Sequence, residues 1–258
     1  MKRRAPHVPT ERAERVYGLA AAIAAFEHRP DAVLNIAYTR ERRNALAEVL
    51  RTAAKKRIAY REVDGETLDA LSGSVHHEGV CMLLRPRQPP AWTSLVENLG
   101  ERCLVLALDG VQNPHNIGAI VRSAAYFGAD ALLFVSADHK PLTAAARRVA
   151  EGGAEHLALH AVSELPAALL QLRDAGLSII GCDTRAKLSL DRFVWPPRSA
   201  LVLGHEQKGL SPEVRRVCKP LVRIAGANTL DSLNVSVSAG IFLASHASQQ
   251  RARSGAAP

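Results

Sequence analysis

Cys103-Leu-Val-Leu-Ala-Leu108, followed at once by Asp109-Gly-Val-Gln-Asn-Pro-His-Asn-Ile-Gly-Ala-Ile-Val-Arg-Ser123, sets the architecture of this chain. A short, fully apolar run bounded by turn residues is the pattern of a strand buried on both faces. Asp109-Gly110 and Asn113-Pro114 are turn formers, and the segment beyond them has helical character through Arg122, with Asn116 as its expected cap. Comparable apolar runs recur at Ala131 to Val135, Leu177 to Ile180, Ala200 to Leu203 and Leu221 to Ala225, and helical segments separate most of them. Strands alternating with helices predict an α/β fold with a mainly parallel sheet covered on both faces. Ligands of such sheets collect at the carboxyl ends of the strands.

Upstream, Arg85-Pro-Arg-Gln-Pro-Pro90 is incompatible with a helix interior or a central strand, because proline lacks the amide hydrogen and clashes with the preceding turn. It marks a domain boundary. Before it, the spacing predicts a basic flexible arm over 1–12, a helix from Val16 to Phe26 and a strand from Val33 to Tyr38. A helix from Arg40 to Lys56, with Leu46, Val49 and Leu50 on one face, and a strand from Val75 to Leu84 follow. The expected organisation is an arm (1–12), a small α/β domain (13–85), a linker (86–100), the parallel-sheet domain (101–250) and a flexible tail (251–258).

The 258 residues carry 33 Lys and Arg against 25 Asp and Glu, a net charge of +8. Residues 1–61 hold 14 basic and 6 acidic side chains, which leaves 19 of each in 62–258, so the whole excess lies at the front. An acidic partner met by that part of the chain is implied. With 47% hydrophobic and 22% charged residues, the composition excludes a wholly disordered or fibrous chain. No apolar run approaches the roughly 18 residues of a membrane span, and Glu11, Arg12, Glu14 and Arg15 interrupt any signal-peptide pattern, so a cytoplasmic protein with no membrane partner is expected. Cys81, Cys103, Cys182 and Cys218 form no Cys-x-x-Cys pair, and His76-His77 lacks the i, i+4 spacing of a helical metal pair. Buried reduced thiols are expected, and no metal.

Two further strand ends carry polar motifs. Gly204-His-Glu-Gln-Lys-Gly-Leu-Ser-Pro-Glu213 leaves a strand at a glycine and re-enters a helix at Ser211-Pro212. Lys208 precedes Gly209 instead of Ser or Thr, so this is no nucleotide-hydrolase phosphate loop. The glycine fingerprint of a nicotinamide-dependent oxidoreductase is missing as well. Gly226-Ala-Asn-Thr-Leu-Asp-Ser-Leu-Asn-Val-Ser-Val-Ser-Ala-Gly240 brings small polar side chains into a helix start. Each motif alone also reads as ordinary turn and cap chemistry, and Arg122 alone as a surface arginine on a capped helix.

Together, Asn116-x-Gly118-x-x-x-Arg122, Gly204-x-Glu206-x-x-Gly209-Leu210 and Ser232-Leu-Asn-Val-Ser236 resemble, in order and spacing, the signature motifs of the SpoU (TrmH-like) RNA ribose 2′-O-methyltransferases. The likeness covers nearly the whole chain and is nearest to the two-domain, ribosomal-RNA branch. Val16-Tyr17-Gly18 and His77-Glu78-Gly79 resemble the beginning and end of that branch's substrate-binding domain, and Glu151-Gly-Gly-Ala-Glu-His156 resembles its Gly-Ala-x-Glu segment.

The resemblance implies a C-terminal domain tied in a trefoil knot, a homodimer, and S-adenosylmethionine as methyl donor to a ribose 2′-hydroxyl. It implies Leu203, Gly204, Ile224, Leu233 and Asn234 at the cofactor, and Asn116, Arg122, Glu206, Ser232 and Asn234 as the catalytic set. Within that set Asn116 and Arg122 hold the ribose and its phosphate. Arg122 is the family's candidate base, but a guanidinium stays protonated, so a positioning and electrostatic role suits it better. Arg42, Arg43, Lys55 and Lys56, with Arg122, are the expected RNA contacts, ribosomal RNA being favoured over transfer RNA. Ile224-Ala225-Gly226 departs from the Ile-Pro-Met of many relatives and alters a loop on the cofactor side. The rival readings are a transfer-RNA methyltransferase and a non-catalytic RNA-binding assembly factor on the same fold.

Overall fold

A computed structural model describes residues 13–87, 90–135, 142–227 and 229–254. The expected arm over 1–12 and the last four residues of the expected tail, 255–258, lie outside them. The chain divides into two compact units, and Arg147–Glu155, which the sequence places between two strands of the second unit, packs with the first.

The first unit runs β1 (Glu14–Tyr17), α1 (Leu19–His28), β2 (Val33–Tyr38), α2 (Ala47–Lys56), β3 (Ala59–Glu62), α3 (Gly65–Ser72) and β4 (Val80–Leu84). Its sheet order is β1-β4-β2-β3, with β4 antiparallel to β1 and β2, and β3 parallel to β2. Ala21, Ala22, Ala25 and Phe26 of α1 and Leu46, Val49, Leu50 and Ala53 around α2 close over Ile36, Tyr38, Val80 and Met82.

The helix expected from Val16 begins only at Leu19. Gly18, at φ 92°, breaks the run, and Val16 and Tyr17, a β-branched and an aromatic residue, pair instead with Met82 and Cys81. The expected strand from Val75 starts at Val80, because Glu78 and Gly79 turn with positive φ. Arg40–Arg42 forms a single tight turn separate from α2. The glycine motif at 16–18 and the one at 77–79 meet: Gly18 N donates to His77 O at 3.2 Å and Leu19 N to Glu78 Oε2 at 3.0 Å, which caps α1.

The Gly-Ala-x-Glu-like segment docks in this unit. Glu155 accepts from Arg29 Nε and Nη2 at 2.8 and 2.9 Å and from Arg87 Nη2 at 2.9 Å, while Arg147 pairs with Glu14. Burial works against the charge of Glu155, yet these guanidiniums hold its carboxyl below the usual range.

The second unit comprises α4 (Trp92–Glu97), β5 (Cys103–Asp109), α5 (Pro114–Tyr126), β6 (Ala131–Val135), the start of α6 (Ala144–Ala150), β7 (Ala158–Val162), α7 (Leu165–Asp174), β8 (Ser178–Cys182), β9 (Leu188–Ser189), β10 (Arg198–Gly204), α8 (Pro212–Val217), β11 (Leu221–Arg223) and α9 (Val235–Ser254). The sheet order is β7-β6-β5-β10-β8-β11-β9, and every pairing is parallel. One face carries Val105, Ala107, Ile179 and Val202 under Leu169 and Leu172 of α7, with α4 and α8 beside them. On the other α9 brings Phe242 against the fully buried Trp195.

Two boundaries differ from the expectation. Trp92, Leu95, Val96 and Leu99 pack on the core, so part of the segment expected as linker is the helix α4. α9 runs to Ser254, with Arg253 Nη1 donating to Trp195 O at 2.6 Å, so the first four residues expected as tail are helical. All four cysteines are free, and burial pushes the thiols of Cys182 and Cys218 up to about 12. Among the described residues no helix is long and apolar enough to cross a membrane, and no cluster of His, Cys, Asp and Glu is arranged for a metal.

Candidate active site

The carboxyl ends of β5 and β10 lie side by side, Gly204 opposite Asp109, so the loops after them leave the sheet together. Asp109 Oδ2 accepts from Ser211 N at 2.6 Å, tying the end of β5 to the start of α8. Between β10 and α8 the chain makes a tight hairpin, with His205 and Gly209 exchanging backbone hydrogen bonds of 3.0 and 2.8 Å. Glycine at 204 is a steric requirement: a Cβ there would stand 2.3 Å from Gly209 C and 2.5 Å from Leu210 N, both backbone atoms.

Asn116 is not the cap of α5. Asn113 is, its Oδ1 accepting from His115 N at 2.9 Å, with Pro114 in the first helical position. That is the stronger arrangement, since proline has no amide hydrogen to satisfy there. Asn116 therefore sits inside the first turn, buried, with its amide free for other bonds.

Those bonds join the three motifs. Asn116 Nδ2 donates to Glu206 Oε1 at 2.9 Å, Asn234 Nδ2 donates to Asn116 Oδ1 at 3.1 Å, and Asn234 Oδ1 accepts from Ser236 N and Oγ at 2.8 and 2.7 Å. An ionised carboxylate only accepts, so it turns the Asn116 nitrogen toward itself. The Asn116 oxygen must then accept, and each later group is oriented in turn. Burial pushes the Glu206 carboxyl up. The hydrogen bond from Asn116, with backbone amides and the His205 ring, outweighs this and holds it below the usual range. The network is thus oriented by one charge at neutral pH.

The other expected site residues lie around this chain of bonds. Arg122 is exposed on α5, roughly 120° round the helix from Asn116 at 100° per residue. Ser232 is exposed in the loop before α9, and Leu233 there is 47% exposed. Leu203 is fully buried, which leaves only its backbone for a ligand, and Ile224 is half-buried just past β11. Beyond the expected site residues, Ser236 joins the network and Asp109 ties β5 to α8. The Asn-x-Ser spacing at a helix start is the signal for Ser236, whereas Asp109 reads locally only as a turn former, its partner Ser211 lying 102 residues away.

In the first unit the four expected RNA contacts differ in what they already touch. Arg42 Nε donates to Glu78 O at 2.8 Å, Lys56 pairs with Asp31 at 2.8 Å and Arg43 stands 3.9 Å from Glu62, while Lys55 is exposed.

A parallel α/β sheet whose strand-end loops converge on an oriented polar network defines an enzyme of the open-sheet class. The chain belongs to the SpoU rRNA methylase family, whose model matches residues 103–244. A second model, for the RNA 2′-O ribose methyltransferase substrate-binding domain, matches residues 15–90. The 23S rRNA (guanosine-2′-O-)-methyltransferase RlmB of Xylella fastidiosa is 33% identical over 232 residues, covering 88% of this chain and 93% of that protein. An uncharacterized tRNA/rRNA methyltransferase, YfiF of Escherichia coli O157:H7, is 35% identical over 90% of this chain and 68% of its own length. The SpoU methyltransferase AviRb from Streptomyces viridochromogenes, solved with the cofactor AdoMet, shares the fold with a TM-score of 0.78 at 23% identity, covering 93% of this chain and 91% of that one.

Proposed function

We propose that this chain transfers a methyl group from S-adenosylmethionine to a ribose 2′-hydroxyl of structured RNA, with ribosomal RNA favoured over transfer RNA. The observation that carries the reading is the bonded chain Glu206–Asn116–Asn234–Ser236, which draws all three family motifs into one site. The surrounding loop suits an adenosyl cofactor. Leu230 and Leu233 are 79% and 47% exposed there, apolar surface that a flat ring can cover beside the backbone of Leu203 and Gly204 and the side chain of Ile224.

When bound, S-adenosylmethionine supplies a methyl group already activated on sulfur. What remains for the protein is alignment and electrostatics. Glu206, Ser232 and Asn234 hold the loops. Asn116 has a second amide hydrogen for the ribose. Arg122 offers its planar fork to the neighbouring phosphate. Residues 13–85 capture RNA, with Arg42, Arg43, Lys55 and Lys56 as contacts, and 101–250 carry out transfer.

The reading includes the family's trefoil knot, a cytoplasmic location and a homodimer. Exposed Tyr126 on α5 and Val237 and Ile241 on α9, two helices packed on one another, suit a partner subunit. The test is calorimetry with S-adenosylmethionine together with methyl transfer to bulk RNA. Cofactor binding and transfer are expected, and tight RNA binding without either would overturn the reading.

A further inference from the structure

Of the described strands, β3 alone has every residue exposed, and it forms the outer edge of its sheet. Its ladder partner at Tyr60 is the fully buried Ile36, yet Tyr60 itself remains 44% exposed. A large aromatic ring left in water on an otherwise polar edge gains most from a second flat surface.

The charges around it are uneven. Arg51 pairs with Glu48, Lys56 with Asp31, and Arg43 offsets Glu62. The side chains of Lys55, Arg57 and Arg61 are exposed and make no hydrogen bond or ion pair among the described residues. Lys55 and Arg57 precede Tyr60 by five and three residues, and Arg61 follows it on the same exposed edge strand. Arg57 takes the left-handed φ of 58°, and the turn closes with Ile58 N donating to Ala53 O at 2.9 Å, so α2 passes directly into β3.

We propose that this edge binds unpaired RNA nucleotides, a base stacking on Tyr60 while Lys55, Arg57 and Arg61 neutralise the flanking phosphates. The proposal rests on the RNA reading above and narrows it to single-stranded or looped RNA. A duplex hides the faces of its bases in its own stack and offers this ring nothing, whereas every unpaired base presents a π-face. Charge complementarity selects RNA over an added protein strand, because cations beside a strand edge discourage strand pairing.

The experiment uses the full chain without cofactor, a dye-labelled oligouridylate, and a labelled RNA duplex of equal phosphate number, with affinity read by fluorescence anisotropy. Tyr60→Ala is expected to weaken oligouridylate binding about tenfold, the equivalent of a stack of about 1.4 kcal/mol, and to leave duplex binding unchanged. Tyr60→Phe keeps the affinity. Lys55→Ala with Arg61→Ala lowers the slope of log affinity against log salt by about 0.7 for each phosphate that is no longer neutralised. An unmoved melting temperature shows that Tyr60→Ala still folds, as expected for so exposed a side chain.

Unchanged oligouridylate affinity in Tyr60→Ala, or equal loss on both RNAs, would overturn the proposal. So would self-association of the variant with RNA affinity intact, which would mark β3 as a guarded edge. Failure of the parent reading looks different: the unaltered chain would then bind neither RNA and transfer no methyl group.

Discussion

Replacing Asn116 by Asp changes one atom of the site in a way its geometry makes severe. The size is kept, and one oxygen can still accept from Asn234, but the nitrogen that stood 2.9 Å from Glu206 Oε1 becomes a carboxylate oxygen. Two unit charges at that separation repel by about 1.4 kcal/mol at the dielectric of water and about 6 kcal/mol at an effective value of 20. For a Glu206 side chain that is 25% exposed, roughly 3 kcal/mol is the reasonable middle. Losing a charge-assisted hydrogen bond adds about 1.5–3 kcal/mol.

The pair escapes by sharing one proton, so in the folded variant its apparent pKa rises above that of separated, unfolded carboxylates near 4. The folded form then binds more protons than the unfolded one, and stability falls as pH rises through that window. Glu206 in the natural chain, with its pKa lowered, has the opposite sign. Urea unfolding at pH 5 should find Asn116→Asp within about 1.5 kcal/mol of the natural chain, and at pH 8 weaker by roughly 4.5–5.5 kcal/mol. An equal deficit at both pH values, or none at pH 8, would refute the Asn116–Glu206 contact and the orientation of the network built on it.

Gly204→Ala must displace the 209–210 backbone, so cofactor affinity by calorimetry should fall at least tenfold together with the melting temperature; unchanged values would show that the hairpin yields freely. Arg122→Ala should abolish methyl transfer while leaving cofactor affinity nearly intact; equal loss of both would show that Arg122 shapes the fold. Burial, with the Arg253 cation beside it, holds the His246 imidazole down at about 4 against an ordinary 6.5. The unfolded chain therefore takes up that proton first, and stability drops as pH falls from 6.5 to 4, by about 1.4 kcal/mol per unit. His246→Gln should flatten this part of the pH–stability curve, and an identical slope in both chains would contradict the assignment.

The apolar runs of β5, β6 and β10 were legible because a strand buried on both faces leaves a continuous hydrophobic signal. β7 was not: His160 lies within it, and although it is only 2% exposed, a polar residue between Leu159 and Ala161 breaks the apolar run. β3 shows no alternation, since none of its residues is buried. α4 carried the i, i+3, i+4 pattern of Trp92, Leu95 and Val96 but stood in the shadow of the preceding prolines.

For the site, Asn116, Glu206 and Asn234 could be named from their motifs. Their mutual bonds, across 90 and 118 residues of sequence, exist only once the sheet places the loops together. The same distance effect separates the cations. Arg42 and Lys56 are as basic as Lys55 in sequence, and only the fold shows that residues 36 and 25 positions away already engage them.

Transfer of a methyl group to a ribose 2′-oxygen is measured directly by following a labelled methyl group from S-adenosylmethionine into ribosomal RNA and mapping it by resistance to alkaline cleavage. Label is expected on the 2′-oxygen of a defined nucleotide with the natural chain, and none with Arg122→Ala. Label on a base, or no transfer by a chain that binds both cofactor and RNA, would contradict it.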